Sequence, residues 1–420
     1  MVVVVHHYSI FFFFFFFFLG PMEFRYGSSS MQGRRPDNED ALLINDNLLQ
    51  QQQQHYHHAL FCVLDGHGGS DASNYASEEL TEFLLNTEEW QNYVQKVSPY
   101  LLPNVNKKKR GGSGSGTGSI RVDIPNNKAM KELTNLLESA LIRSFVELDR
   151  ELYIQHHYDH DNSNNNNDGG KRQAKKPPSS TPGSTAIAVL VTPFVLVCAN
   201  IGDSRCVLAC SSTSSPMSLT ANPLSFDHTP NIRDDEKQRI IKAGGYVTED
   251  DGRVDGELAV SRAFGDFELK DIDGLLLDDY NPLENDDDVE QLLHRAKQQK
   301  VSAYPEIHIH QRDDTIDRFI VLACDGIWDV MSNEDCIEYI ASALHQQGQN
   351  YDLELICEQL LDKCFQLGSQ DNMTIILILL EAGQKLIGKT KTNIAAAAAA
   401  ATTATASNLS GGRTTRRKQR

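Results

Sequence analysis

Short apolar runs that end on an aspartate recur along this chain, and they constrain it more than any other feature. Phe61-Cys62-Val63-Leu64 runs into Asp65, which precedes Gly66-His67-Gly68-Gly69. Val197-Cys198-Ala199-Asn200-Ile201-Gly202 runs into Asp203. Ile320-Val321-Leu322-Ala323-Cys324 runs into Asp325 and Gly326, and Asp371-Asn372 opens the run Met373 to Leu380. Apolar runs of this length, bounded by turn residues, are expected to be strands. A carboxylate at a strand end is held rigidly while its head reaches a cleft. Several converging carboxylates would repel one another unless cations sat between them. That is the logic of a two-metal hydrolytic site. An isolated Asp-Gly is ordinary turn chemistry, so the flanking residues carry the weight. Gly66 lets the backbone come close to an ion, so that its carbonyl can be a ligand. His67, two residues after Asp65, can donate a proton near neutral pH.

Other elements frame these aspartates. Ala59 to Leu64 and Arg318 to Cys324 read as strands. Thr185 to Val191 and Phe194 to Ala199 are split by Thr192-Pro193, a hairpin signal. Ser70 can cap a helix with apolar positions Ala72, Tyr75, Ala76, Leu80, Phe83 and Leu84. Leu133, Leu137, Leu141, Phe145, Leu148 and Leu152 form a second stripe at helical spacing. Ile232 to Ala243 is a polar helix stopped by Gly244-Gly245, and Leu353, Ile356, Leu360, Cys364 and Phe365 mark a later one. Hairpin signals mixed with helices predict an α+β chain in one domain.

Several stretches fall outside this pattern. Val2 to Val5, a polar interruption, and then Ile10, eight phenylalanines and Leu19 form an apolar start too short to span a bilayer. No basic segment precedes it and no small-residue cleavage site is clear. A dispensable tail, with Met22 opening the protein proper, is preferred to a membrane anchor, and secretion ranks last. Inserts are expected near 50–58 (a glutamine and histidine tract), 102–128 (basic, then Gly/Ser-rich), 156–182 (His, Asp, Asn, Lys and Pro) and 271–300 (acidic). For 271–300 a disordered surface loop is favoured over a docking segment. Residues 383–420, with an alanine run and a basic end, read as a disordered tail before a nuclear signal.

Charge and cysteines narrow the function classes. A net charge of −18 argues against broad nucleic-acid binding, which needs a basic face. It fits a collector of divalent cations, although solubility explains the bulk of it. The eight cysteines include no CxxC pair, and Cys62, Cys198 and Cys324 lie inside apolar runs. A reducing, intracellular setting follows, cytoplasmic or nuclear.

Taken together, the motifs resemble the metal-dependent protein phosphatases of the protein phosphatase 2C type. Met31-Gln32-Gly33-Arg34-Arg35 runs into Glu39-Asp40, and Val63 to Gly69 is similar to the family's DGHGG motif. Gly183-Ser184-Thr185-Ala186, Gly202-Asp203-Ser204-Arg205, Leu258 to Asp266, Ala323 to Val330 and Asp371-Asn372-Met373-Thr374 follow in the family's order. The resemblance runs from about Tyr26 to Leu380. It implies two stacked antiparallel sheets flanked by helices, an α-β-β-α sandwich, with the catalytic domain over 22–382. It implies hydrolysis of protein phosphoserine and phosphothreonine by a hydroxide bridging two Mg²⁺ or Mn²⁺ ions, with a weaker third ion.

By position, Asp65 would bridge both ions, with the Gly66 carbonyl and Glu39 on the first and Asp325 and Asp371 on the second. Asp203 and Asp329 match the third site. Four carboxylates, Glu39, Asp65, Asp325 and Asp371, would then balance two divalent ions. Arg35 would grip the substrate phosphate by a bidentate fork. His67 would protonate the leaving oxygen, and Arg253 lies where the family has a mobile flap that touches substrate. Asp266 is expected to organise structure and Arg262 to pair internally. Ser184-Thr185 and Cys324 are expected to be core or turn residues. Arg205 is evenly poised between orienting its loop and solvation. Partners are phosphorylated proteins, with no nucleic acid or membrane, and the chain is expected to be a monomer. The competing classes are a pseudophosphatase that only binds and a hydrolase of small phosphoesters. A cysteine phosphatase is disfavoured because no His-Cys-x5-Arg loop is present.

Overall fold

The computed structural model describes residues 25–49, 58–101, 124–157, 181–211, 218–276 and 286–384. Two five-stranded antiparallel sheets stack on each other. The first is built from β1 (Arg25–Met31), β13 (Met373–Leu379), β12 (Asp317–Ala323), β8 (Arg205–Ser211) and β9 (Leu219–Pro223), in that spatial order. The second is built from β11 (Glu306–Gln311), β7 (Val195–Ile201), β6 (Ala186–Val191), β3 (Ala59–Leu64) and β2 (Ala41–Asn45). The α+β sandwich expected from the sequence is therefore the one observed.

Strand alternation explains why these runs are apolar throughout. Successive side chains of a strand point to opposite faces. In β3, Ala59, Phe61 and Val63 enter the core between the sheets, while Leu60, Cys62 and Leu64 enter the core under the helices. Every residue of β3, β6, β7, β12 and β13 is buried. Both faces are covered, so no polar alternation survives. Each fully buried Leu, Ile or Val side chain contributes about 1.5–3 kcal/mol.

Helices close the outer faces. On the second sheet lie α1 (Asp71–Asn86), α2 (Glu88–Leu101) and α3 (Asn127–His157), and the predicted stripe of α3 from Leu133 to Leu152 is in their shared core. On the first sheet lie α8 (Asn333–Gln347) and α9 (Leu353–Leu367). Ser332 and Asp352 cap these two helices through their side chains. The Thr192-Pro193 hairpin forms as expected, with Thr192 Oγ1 donating to the Val195 carbonyl at 2.9 Å. The polar helix is α4 (Asp234–Lys242), and Gly244 follows its end at φ 85°.

Three expectations need correction. Ser70 precedes α1 but makes no side-chain cap, because its backbone (φ −89°, ψ 2°) is not extended; Ser73 Oγ instead donates back to the Ser70 carbonyl at 3.1 Å. His58 is not part of a solvated tract: it is buried, with its Nε2 2.8 Å from the Tyr93 hydroxyl. Residues 271–300 are not a surface loop throughout. They include α5 (Ile272–Leu275) and α6 (Asp286–Ala296), and Leu292 and Ala296 are buried in the core shared with α3. Val289, Leu292 and Ala296 keep helical spacing that the acidic composition obscured. The N-terminal apolar segment 1–21, residues 50–57, most of the other inserts and the tail beyond 384 lie outside the described residues. Among the described residues no helix is long and apolar enough to cross a membrane.

Candidate active site

A cleft of about 430 Å³ opens where ends of both sheets meet, and it gathers residues from the whole chain. Arg35, Glu39, Asp65, Gly66, His67, Asp203, Arg253, Asp325 and Asp371 all line it. Asp65 follows β3 of the second sheet, and Asp203 follows β7 of that sheet. Asp325 sits two residues after β12 of the first sheet, and Asp371 two residues before β13. Asp325 also opens a single helical turn, α7 (Asp325–Trp328). Asp329 follows that turn and donates its backbone N–H to the Asp325 carbonyl at 2.8 Å. Asp329 is exposed at the outer edge and does not line the cleft itself.

One carboxylate oxygen each from Asp65, Asp203 and Asp325 lies within 4.8 Å of the others. Burial first, and then the neighbouring negative charges, raise all three carboxyls: Asp203 to about 6, Asp325 to about 8 and Asp65 well above the usual range. Asp329 is raised too, by its partial burial and then by the charge of Asp371. Such a cluster is unfavourable as three bare anions and favourable around a hard cation. The donor set therefore fits a divalent metal. A Cβ at Gly66 would collide with the Glu39 carbonyl and crowd Ser73 Oγ. The loop carrying Glu39 thus packs directly on the strand end that carries Asp65.

The loop from Gln32 to Glu39 is clamped by Asn372. Its Nδ2 donates to the carbonyls of Gln32 at 2.8 Å and Asp37 at 2.9 Å, and its Oδ1 accepts from Glu39 N–H at 3.0 Å. This fixes where Arg35 enters the cleft. Arg253, on the excursion between α4 and β10 (Phe264–Gly265), pairs with Asp251 at 3.0 Å and donates to the Glu257 carbonyl at 2.5 Å.

His67 lies on β4 (Gly66–His67), in a small sheet with β5 (Gly183–Ser184) and β10. Burial alone would lower its imidazole, but the adjacent Asp266 carboxylate outweighs this and the net shift is upward.

Two residues escaped sequence reasoning. Asp40 lies beneath the cluster, accepts from Thr374 Oγ1 at 2.5 Å, and leaves Oδ1 without a partner in a buried position. Burial leads its rise to about 6. Only its adjacency to Glu39 could have flagged it. Asp266 was expected to be structural, yet its carboxylate touches His67. Arg205 is settled in favour of orienting its loop, with two bonds to Asp227 at 2.8 and 2.7 Å and its guanidinium over Trp328. Arg262 pairs internally with Glu236, and Ser184, Thr185 and Cys324 are buried.

Buried carboxylates, an arginine and an imidazole around one cleft are the parts a phosphoester hydrolase requires. Comparison with known proteins agrees. The Protein phosphatase 2C family matches residues 24–102 and 121–373. Protein phosphatase 1B of Mus musculus is 33% identical over 367 residues, covering 86% of this chain and 72% of its own length. The Bos taurus protein of the same name is 33% identical over 368 residues, and the chain spans 58% of its length. A serine-threonine phosphatase 2C structure from Toxoplasma gondii shares the fold, with a TM-score of 0.57 at 21% identity, covering 86% of this chain and 95% of that one. The chain belongs to the protein phosphatase 2C family, and so by class it is a serine/threonine protein phosphatase.

Proposed function

We propose that this chain removes phosphate from phosphoserine and phosphothreonine of proteins, using two Mg²⁺ or Mn²⁺ ions and a weaker third. The observation that carries this is the meeting of Asp65, Asp203 and Asp325 in the cleft that also holds Arg35 and His67. Asp65, Asp325, Asp371, Glu39 and the Gly66 carbonyl would hold the first two ions, and Asp203 with Asp329 the third. When bound, such ions neutralise the carboxylates, make water easier to deprotonate and draw off charge from the phosphoryl group.

The remaining work belongs to side chains. Arg35 grips non-bridging phosphate oxygens with its planar fork and stabilises the charge that builds there. His67 gives a proton to the serine or threonine oxygen as the P–O bond breaks. The new bond to phosphorus would come from water, and Cys324 and Ser184, two side chains that could otherwise attack, are buried. Arg253, which lines the cleft, would touch the substrate.

The test is phosphate release from phosphothreonine peptides by the purified full chain with Mn²⁺ or Mg²⁺. Activity that stops with chelator and is lost in Asp65→Asn supports the proposal. Full activity in excess chelator overturns it. Binding of phosphopeptide without release would identify a pseudophosphatase instead.

A further inference from the structure

The small sheet of β10, β5 and β4 places His67 and Asp266 side by side. His67 pairs with Gly183, Gly183 pairs with Gly265, and Asp266 follows at once. The middle position carries no side chain. A Cβ on Gly183 would collide with Asp266 Oδ2 and His67 Nε2, so glycine leaves the gap across which the two side chains meet. His67 Nε2 donates to both Asp266 oxygens, at 3.0 and 2.9 Å. The Asp266 side chain is 6% exposed, against 32% for His67.

The backbone of Asp266 is held in an unusual shape. Its φ of 50° and ψ of 43° are left-handed, a region few non-glycine residues adopt. Such a conformation persists only where the surroundings over-determine it. Here they do. Gly265 N–H donates to Asp149 Oδ1 at 2.8 Å. Asp149, buried on α3, is itself fixed by Lys270, whose Nζ reaches both its oxygens at 2.8 Å and the Ala263 carbonyl at 2.9 Å. On the other side, Phe267 N–H donates to Thr181 Oγ1 at 2.8 Å. A buried ion pair and a threonine thus pin the chain on both sides of one carboxylate, and that carboxylate is aimed at one imidazole.

We propose that Asp266 is a positioning residue for His67. It occupies Nε2 and fixes the ring plane, so that Nδ1 is the nitrogen that meets the leaving oxygen. In the step, the Nδ1 proton passes to the serine or threonine oxygen as that oxygen takes the electron pair of the breaking P–O bond. The neutral ring keeps its Nε2–H on Asp266. This inference rests on the acid role given to His67 above.

The experiment measures kcat and KM of the full chain with Mn²⁺ on a phosphothreonine peptide and on 2,4-dinitrophenyl phosphate. The aryl leaving group needs no proton. The variants are His67→Ala, Asp266→Asn, Asp266→Gly and the double variant His67→Ala with Asp266→Asn. Asparagine and glycine both tolerate left-handed backbone, so the turn is retained. Both Asp266 variants are expected to lower peptide kcat by about tenfold or more, with KM and the aryl phosphate rate within about twofold. Asp266→Asn should add nothing to His67→Ala. Equal slowing of both substrates by the Asp266 variants, losses that multiply in the double variant, or unfolding of both Asp266 variants overturns the positioning role. Equal slowing by His67→Ala itself overturns the acid reading and the positioning role with it.

Discussion

Arg35 Nη2 lies 2.5 Å from Asp371 Oδ2, so the guanidinium proposed to grip phosphate rests against a carboxylate proposed to hold metal. The arginine side chain is 55% exposed, and a pair this exposed adds little to stability. Its value lies in aiming the fork. Arg35→Ala is expected to raise KM for phosphopeptides by about tenfold with an unchanged melting temperature. Arg35→Lys should recover little, because an ammonium cannot make the bidentate contact. Steady-state kinetics with a thermal melt check both, and full rescue by lysine would count against the fork.

Asn372 holds the loop that carries Arg35 and Glu39, through three hydrogen bonds from a buried position. Asn372→Ala should cost about 1–3 kcal/mol of stability, because it removes three hydrogen bonds to half-buried backbone groups. It should also weaken phosphopeptide binding without touching a reacting atom. Asn372→Asp keeps the acceptor for Glu39 N–H but sets a carboxylate oxygen against the two carbonyls, so it should be the least stable of the three. Urea titration and KM measurements on the three proteins decide the order.

The carboxylate cluster opposes folding until a cation offsets it. Asp325, raised to about 8 by burial and then by Asp203, Asp329 and Asp371, marks that opposition. Adding Mn²⁺ or Mg²⁺ to chelator-treated protein at about 100 times its dissociation constant should stabilise the fold by about 2.7 kcal/mol. Asp325→Asn should raise the melting temperature in chelator and shrink the metal-induced rise. Differential scanning calorimetry with and without metal tests this, and a melt indifferent to metal in the parent protein would exclude it.

Glu236 gives the fold a dependence on acid. Burial alone would raise its carboxyl, but the hydrogen bond and charge of Arg262 and the charge of Arg239 outweigh this and hold it below the usual range. A depressed folded-state value stabilises above the unfolded value and is lost as pH falls through the folded one. Stability should therefore decline below about pH 4.5, the ordinary range for glutamate. Glu236→Gln should lose about 3 kcal/mol at pH 7 by leaving two arginines short of their partner. Its stability should then vary less between pH 5 and pH 3. Denaturation midpoints of the two proteins across that range measure the difference.

Much of this was legible in the residues, for identifiable reasons. Strands β3, β12 and β13 announced themselves because burial on both faces leaves unbroken apolar runs. Asp65 and Asp325 were legible because apolar runs stop on them, and Asp371 because one begins just after it. The structure brings every predicted site residue to the cleft except Asp329, which stays at its edge. What stayed hidden depends on contacts between distant segments. No local pattern says that Asp266 reaches back 199 positions to His67, or that Asn372 bonds to a loop more than 330 positions away. Asp40 was masked by Glu39 beside it. The helix α6 was masked by acidic neighbours, since charge on its solvent face reads like disorder until Leu292 is seen in the core.

The order of strands also sets when the chain can begin to work. β1 is the first strand in sequence among the described residues, yet its partner is β13, the last, and β13 lies between β1 and β12 in the first sheet. During synthesis the amino-terminal strand must wait for residues 373 to 379 before it has anything to pair with. Asp371 arrives in the same few residues. A chain that stops before residue 371 therefore lacks both the completed sheet and the last proposed ligand. Closing so long a loop is slow, and a truncation a few residues before β13 would leave an exposed edge rather than a weaker enzyme.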